Sequence, residues 1–288
     1  MTEPTGLPGA VAGTVRLDCA LVDLGLVGTR AKAQRLVRAG AVRVGGPDGR
    51  VETKPSAKVL LVVNSDGNVV AAEDLVVNKG DDYVSRGALK LEGAFAAFGE
   101  GGTLEASGEL AAADALKPAA GLRCLDIGAS TGGFCDVLLR RGAVSVIALD
   151  VGHGQLDPRI AGDARIIEMS GVNIRDVTAG DLPYRPELIV SDVSFISLTY
   201  VLPVAAAIAA DGAQMVFLVK PQFEVGREHL GKNGIVTDES CRLAALDKVT
   251  ACARANGLTV LATAPSPIEG THGNAEYLML VRKPQDGQ

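Results

Sequence analysis

The sequence predicts an α/β protein: a seven-stranded, mostly parallel sheet with helices on both faces, preceded by a small basic α/β domain. Three observations carry that expectation. From residue 122 onward, apolar runs of strand length alternate with stretches of helical spacing, the pattern of a parallel sheet covered on both sides. A glycine-rich turn, D-I-G-A-S-T-G-G-F at residues 126–134, lies between the first such run and the helix after it. Charge is also unevenly spread. Residues 1–62 hold nine Lys or Arg against five acids, a net of +4, which leaves −10 for the remainder of a chain whose total is −6.

Composition sets bounds. The 288 residues suffice for a main domain of about 200 residues and a small second one. Apolar residues make up 47% and charged residues 22%, so a sizeable core is expected and global disorder is not. Trp is absent and aromatics are 3%, so base stacking on an aromatic platform is not the expected binding mode. Five scattered cysteines (Cys19, Cys124, Cys135, Cys241, Cys252) never fall in C-x-x-C spacing and are expected as buried reduced thiols. The first 13 residues have neither the basic nor the apolar region of a signal peptide. The most apolar stretch, Val201 to Ala210, is shorter than the roughly 18 residues of a membrane span and carries Pro203, so a cytoplasmic protein is expected.

Residues 1–14 read as a flexible N-terminus, 15–62 as the basic head, 63–84 as a linker, 85–283 as the large domain and 284–288 as a tail. In the head, Leu17, Leu21 and Leu24 repeat at helical spacing, and Gly25 and Gly28 punctuate. Thr29 can cap a second helix running to Ala39, with Ala33, Leu36 and Val37 inward and Arg30, Lys32, Arg35 and Arg38 on the other sides. Gly40 ends it, and A-V-R-V-G-G reads as a short strand and turn. The linker carries turn signals at residues 64–67 and 79–82. Ala88, Leu91, Phe95 and Phe98 predict a helix, and the Gly/Ala-rich stretch 99–121 an insertion or loose helix. Strands are expected near 122–127, 144–150, 164–168, 187–192, 214–220, 258–263 and 276–282, with helices notably at 133–141 and 239–256. A Gly/Pro loop without a helix joins the last two strands, which predicts an antiparallel hairpin.

The glycine turn reads G-x-x-x-G-G (Gly128, Gly132, Gly133) rather than the G-x-G-x-x-G of a dinucleotide loop. Such a turn brings backbone close to a ligand and offers amides to a carboxylate. Asp150 ends the second strand run, where an acid suits a ribose diol. A cofactor with a ribose and an amino-acid tail but no phosphates, S-adenosylmethionine, fits both facts. A nicotinamide dinucleotide also favours an acid about 20 residues on and stays open on these residues alone.

In an open α/β sheet, ligands bind beyond the carboxyl ends of the strands. Asp192 and Lys220 end two predicted strands. Glu276 begins the last, and an antiparallel final strand would start at that same edge. Lys90, beside the apolar stripe, reads on its own as a surface lysine. Two lysines and two acids suit methyl transfer to a ribose 2′-hydroxyl, a poor nucleophile that needs in-line placement and a general base. Lys220 is assigned the base role, Asp192 its orientation and a place near the methyl group, Lys90 the neighbouring positive charge, and Glu276 the holding of Lys90 or the ribose. His153, His229 and His272 show no nucleophile–base or metal spacing, and no metal site is visible.

These residues carry a resemblance. The head order R-L-D…L…G-L…T-R-x-x-A-x-x-L-V-x-x-G-x-V-x-V-G-G resembles the S4 RNA-binding domain, whose basic helix contacts RNA phosphates. The resemblance implies RNA contacts at Arg16, Arg30, Lys32, Arg35, Arg38, Arg43 and Lys54. The segments V-S-R-G-A-L-K-L, C-L-D-I-G-A-S-T-G-G-F, A-L-D-V-G-H-G-Q-L, N-I-R-D, S-D-V-S-F-I-S-L, L-V-K-P-Q-F-E-V-G, G-I-V and G-N-A-E-Y-L resemble the TlyA family of rRNA 2′-O-methyltransferases, whose catalytic domain is similar to that of FtsJ. That likeness implies an S-adenosylmethionine-dependent methyltransferase Rossmann-like sheet with its last strand antiparallel. It places the family's K-D-K-E tetrad on Lys90, Asp192, Lys220 and Glu276. The cofactor site it implies comprises Asp126, Gly128, Ala129, Ser130, Thr131, Gly132, Gly133, Phe134, Asp150, Val151, Asn173 and Asp192. The substrate it implies is cytidine in 16S and/or 23S rRNA within ribosomal subunits. The sequence itself leads to an expectation of no membrane association, and no obligate protein partner is evident in it.

Departures from the family are the length of 99–121, the poor match of 61–80, and D-D-Y-V at 81–84, where some members carry a basic and aromatic tetrapeptide implicated in cofactor affinity. The competing classes are a ribosome-assembly factor with a vestigial cofactor fold and a membrane-active hemolysin, a name some members bear. A nicotinamide oxidoreductase is set aside, because the loop lacks G-x-G-x-x-G.

Overall fold

A computed structural model describes residues 11–38, 40–64, 68–77, 82–102, 110–270 and 273–285. The first ten residues of the expected N-terminus, Ala39, the turn residues 65–67 and 79–81, residues 103–109, His272 and the tail residues 286–288 lie outside them. The chain divides into two compact units, Met1–Asp82 and Tyr83–Gln288.

The first unit contains β1 (Val11–Arg16), α1 (Leu17–Asp23), α2 (Arg30–Arg38), β2 (Val42–Val44), β3 (Arg50–Glu52), β4 (Lys58–Val63), β5 (Val69–Ala71) and β6 (Leu75–Val77). The strands form two antiparallel sheets, ordered β1-β4-β5 and β3-β2-β6. Leu17, Leu21, Ala33, Val37, Val42 and Leu61 form the core. The Thr29 hydroxyl accepts from Lys32 N–H at 3.3 Å and starts α2 as its sequence predicts. Two expectations fail. Residues 11–14, read as flexible, open β1 and pair with β4, Thr14 lying opposite Leu60. Residues 63–84, read as linker, include β5 and β6, which pair with β4 and β2. V-V-A and L-V-V show no apolar–polar alternation to read, and their partners, not their own propensity, decide them.

The second unit runs α3 (Ala88–Phe98), β7 (Arg123–Ile127), α4 (Gly133–Arg140), β8 (Ser145–Asp150), α5 (Pro158–Ala161), β9 (Ile166–Ser170), β10 (Leu188–Ser191), α6 (Leu198–Ile208), β11 (Gln214–Val219), α7 (Glu239–Ala255), β12 (Thr259–Pro265) and β13 (Tyr277–Arg282). The sheet order is β12-β13-β11-β10-β7-β8-β9. Strands β9, β8, β7, β10 and β11 are parallel, and β13 runs antiparallel to both its neighbours, as the Gly/Pro loop predicts. Every residue of β11 is buried, and its side chains alternate between two cores. Val216 and Leu218 face the layer containing Leu91, Phe95, Phe98 and Leu138, whereas Met215, Phe217 and Val219 face the layer with Val201, Leu202 and Val249.

The chain winds one way from β7 to β8 and the other way from β10 to β11, so the topological switch lies between β7 and β10. A crevice opens there at the carboxyl edge. The described part of 99–121 contains a short 3₁₀ turn (Ala112–Asp114) instead of a loose helix. Leu116 N–H donates to the Phe98 carbonyl at 2.7 Å, and Lys117 N–H to Gln214 Oε1 at 2.8 Å, tying the segment across the sheet. Cys124 and Cys135 are buried as expected, but Cys19, Cys241 and Cys252 are only partly so. No described helix is long and apolar enough to cross a membrane.

Candidate active site

The glycine turn leaves β7 at the switch point and enters α4. Gly128 sits at φ +85°, and a Cβ there would lie 3.0 Å from Val193 and 3.2 Å from the Asp192 carbonyl, so only glycine lets these two strand ends approach. Gly132, at φ +88°, turns the chain into the first turn of α4. Ser130 holds a left-handed φ of 48° without being glycine. Its N–H donates to Asp150 Oδ2 at 2.8 Å, and Gly152 N–H donates to Oδ1 at 2.7 Å. The acid expected to meet a ribose therefore also braces the loop, with further lone pairs left on each oxygen.

Asp126 lies inside β7. Its Oδ2 accepts Cys135 N–H and the Cys135 thiol, each at 3.1 Å. Its Oδ1 is buried without a hydrogen-bond partner among the described residues. Burial, with the Asp192 and Asp150 carboxylates nearby, pushes the Asp126 carboxyl up to about 7 against the opposing Cys135 hydrogen bonds.

Two adjoining cavities of about 710 and 890 Å³ open at this edge and share Gly128, Ser130, Asp192 and Ser194. Asp126, Ala129, Thr131, Gly133 and Phe134 line the first; Asp150, Val151 and Asn173 line the second. Gly132 lines neither and serves as the hinge. The orphaned Asp126 oxygen, the amide-rich turn and the space around them fit a ligand with an amino-acid end and a nucleoside end.

The four charged residues converge. Asp192 follows β10, Lys220 follows β11, and Glu276 precedes the antiparallel β13, so all three stand at the same edge. Lys90 comes from the first turn of α3. Lys220 Nζ lies 2.5 Å from Asp192 Oδ1 and donates to Ser194 Oγ at 2.9 Å. Lys90 Nζ lies 2.7 Å from Glu276 Oε2 and 3.6 Å from Asp192 Oδ2. The order in space is Lys220, Asp192, Lys90, Glu276: alternating charges, both lysines and Glu276 nearly buried. Such a line keeps two amines and two carboxylates together at modest electrostatic cost.

Sequence reasoning missed Ser194 and an aromatic pair. Phe195 is 92% exposed, holds φ 65°, and sets its ring 5.2 Å from that of Phe223. Both rings, with Tyr200, line the second cavity. Aromatics are few in the chain, yet three gather here, which composition could not reveal. The positive φ of Phe195 is likewise a property of the folded loop.

At the start of this unit, Val84 N–H donates to Asp136 Oδ2 at 2.9 Å, and the Arg140 guanidinium stacks 4.4 Å over the Tyr83 ring. Asp136 and Arg140 belong to α4, the helix that begins at the glycine turn.

In the first unit the expected RNA-binding residues divide. Arg16 and Arg30 hold the fully buried Asp18 at 2.9 and 3.1 Å, joined by Gln34 at 2.7 Å. These contacts, Arg16 foremost, keep the Asp18 carboxyl well below the usual carboxylate range. Lys32 pairs with Asp82, and Arg43 donates to the Gly49 carbonyl. Arg35, Arg38 and Lys54 are exposed, with no side-chain partner among the described residues.

The FtsJ-like methyltransferase family matches residues 83–283, and the S4 domain family matches residues 15–61. Over 276 residues the chain is 39% identical to the 16S/23S rRNA (cytidine-2′-O)-methyltransferase TlyA of Mycobacterium tuberculosis, covering 96% of this chain and 92% of that protein. It is 35% identical to Hemolysin A of Brachyspira hyodysenteriae, covering 92% and 98% of the two chains. A solved protein from Streptococcus thermophilus, described as a hemolysin, superposes with a TM-score of 0.64 at 40% identity, covering 95% of this chain and 91% of that one.

Proposed function

The chain belongs to the FtsJ-like methyltransferases, among the TlyA proteins, and from that premise we propose that it transfers a methyl group from S-adenosylmethionine to the ribose 2′-hydroxyl of a cytidine in 16S or 23S rRNA within ribosomal subunits. The observation that carries the reading is the line of alternating charges Lys220, Asp192, Lys90 and Glu276 beside the glycine turn.

Bound S-adenosylmethionine supplies an electrophilic methyl group on a sulfonium. The turn of residues 128–134, with Asp126 Oδ1 as an acceptor for the ammonium, would hold it together with Asp150, Val151 and Asn173. Lys220 takes the 2′-hydroxyl proton at Nζ from its neutral form, the amine first giving up one proton to water. Asp192 and Ser194 fix the direction of that amine. Lys90 adds positive charge where the ribose oxygen gains anionic character, and Glu276 holds Lys90 in place. Close placement of these groups also removes much of the entropic cost of bringing two substrates together.

Residues 15–62 recognise RNA, and residues 85–283 carry out transfer. Arg35, Arg38 and Lys54 are the side chains best disposed to meet phosphates, whereas Arg16 and Arg30 divide their donors between Asp18 and RNA. The protein acts in the cytoplasm, where its substrate is assembled. The test is incubation with methyl-labelled cofactor and unmodified ribosomal subunits, followed by digestion to nucleosides. Label in 2′-O-methylcytidine supports the reading, and label in a base methyl overturns it.

A further inference from the structure

Glu224 is a buried carboxylate with no part in the chemistry above. Its side chain is 1% exposed, and both oxygens are engaged. Oε2 accepts the Ser197 hydroxyl at 2.6 Å, and Oε1 accepts Leu198 N–H at 2.7 Å. Lys248 of α7 stands 3.6 Å from Oε2 and donates to the Glu224 backbone carbonyl at 2.8 Å.

Ser197 and Leu198 are the N-cap and first residue of α6, so the carboxylate meets an orphan N–H at the positive end of that helix. The helix already has a local cap, since Ser197 Oγ accepts Thr199 N–H at 3.2 Å. Burying a second, charged acceptor from a distant loop carries a desolvation cost that capping alone does not require.

The contact joins two loops. One runs from Asp192 to Ser197 and the other from Lys220 to Glu224, and each begins at a member of the charged line. Near their starts, Lys220 Nζ meets Asp192 and Ser194. A few residues further along both, Glu224 meets Ser197 and Leu198. Between Lys220 and Glu224 the chain forms a closed turn: Phe223 N–H donates to the Lys220 carbonyl at 2.9 Å, and Val225 N–H to the Pro221 carbonyl at 3.0 Å. The buried contact at one end of this short turn therefore sets where the lysine at its other end begins.

We propose that Glu224 is a positioning residue for Lys220, fixing the spacing of the two loops so that Nζ is held against Asp192 and Ser194 and aimed at the 2′-hydroxyl. The proposal rests on the role given to Lys220 above. Glu224 lines neither cavity.

Wild type, Glu224→Ala, Glu224→Gln, Ser197→Ala and Lys220→Ala are compared in one methyl-transfer assay, with rates expressed per cofactor-binding site counted by titration. Glu224→Ala is expected to keep cofactor affinity and the RNA KM within about threefold while kcat per site falls about 100-fold, the loss typical of reacting groups displaced by an ångström. Glu224→Gln keeps an acceptor for Leu198 N–H and an amide for Ser197, and is expected to stay within about tenfold of wild type. A purely structural role would lower the number of binding sites or raise KM with kcat per site unchanged, and that result overturns the proposal. If Glu224→Ala does not fold, Ser197→Ala decides: a kcat loss of about tenfold at unchanged cofactor affinity supports the proposal, and unchanged kcat overturns it. Failure of the functional reading looks different: wild type would not transfer to the ribose, or Lys220→Ala would match it.

Discussion

Lys90 Nζ lies 2.7 Å from Glu276 Oε2, so the first helix of the larger unit and the residue before its last strand share one buried ion pair. The Glu276 side chain is only 2% exposed. Removing one partner leaves a buried charge uncompensated, whereas removing both does not. Lys90→Met is expected to destabilise the protein by about 3–5 kcal/mol, and the double variant Lys90→Met/Glu276→Gln by clearly less. Urea unfolding of the four-member cycle checks this, and additive losses would contradict it.

Burial holds the Asp126 carboxyl up at about 7, against about 3.9 in an unfolded chain. Between those values the folded protein binds more protons than the unfolded one, so stability falls as pH rises through the window. Above the upper value the cost is complete. The stability advantage of Asp126→Asn over wild type, without cofactor, should therefore widen between about pH 5 and pH 8. Denaturation curves at the two pH values measure it, and a constant gap would remove the buried, raised carboxyl from the account.

Arg35 and Arg38 project from α2 without side-chain partners among the described residues. If they meet phosphates, each alanine variant should weaken RNA binding across sequences and flatten the slope of log K against log salt by about 1. Titrations at several salt concentrations report the slope. Weaker binding at an unchanged slope would mean that these side chains act through the fold.

Phe195 carries a backbone cost and buries almost nothing, being 92% exposed at φ 65°. Phe195→Gly should leave stability unchanged or raise it by about 1 kcal/mol. Its ring stands at the cavity beside Ser194, where a nucleobase can stack, and loss of such stacking is worth about 1–3 kcal/mol per base. The glycine variant should therefore raise the RNA KM by about tenfold or more. Unchanged KM would show that the exposed ring has no part in RNA recognition.

The larger unit was legible because its central strands are buried on both faces and read as continuous apolar runs, as in L-I-V-S and M-V-F-L-V. Asp192, Lys220 and Glu276 could be joined because strand ends share an edge once the last strand is antiparallel. Lys90 could not be reached this way. It lies on a helix beside Leu91, and only its resemblance to a family motif marked it. Ser194, Glu224 and the Phe195–Phe223 pair were missed because their meaning lies in contacts between loops distant in sequence. Strands β5 and β6 were missed because V-V-A and L-V-V carry no apolar–polar alternation.

The most direct test of the account compares wild type with Lys220→Ala, using tritiated S-adenosylmethionine and unmodified ribosomal subunits, with cofactor binding measured on both proteins. Wild type is expected to place label in 2′-O-methylcytidine, and Lys220→Ala to lose at least about 100-fold at unchanged cofactor affinity. Label in a base methyl group, or equal transfer by the variant, would contradict it.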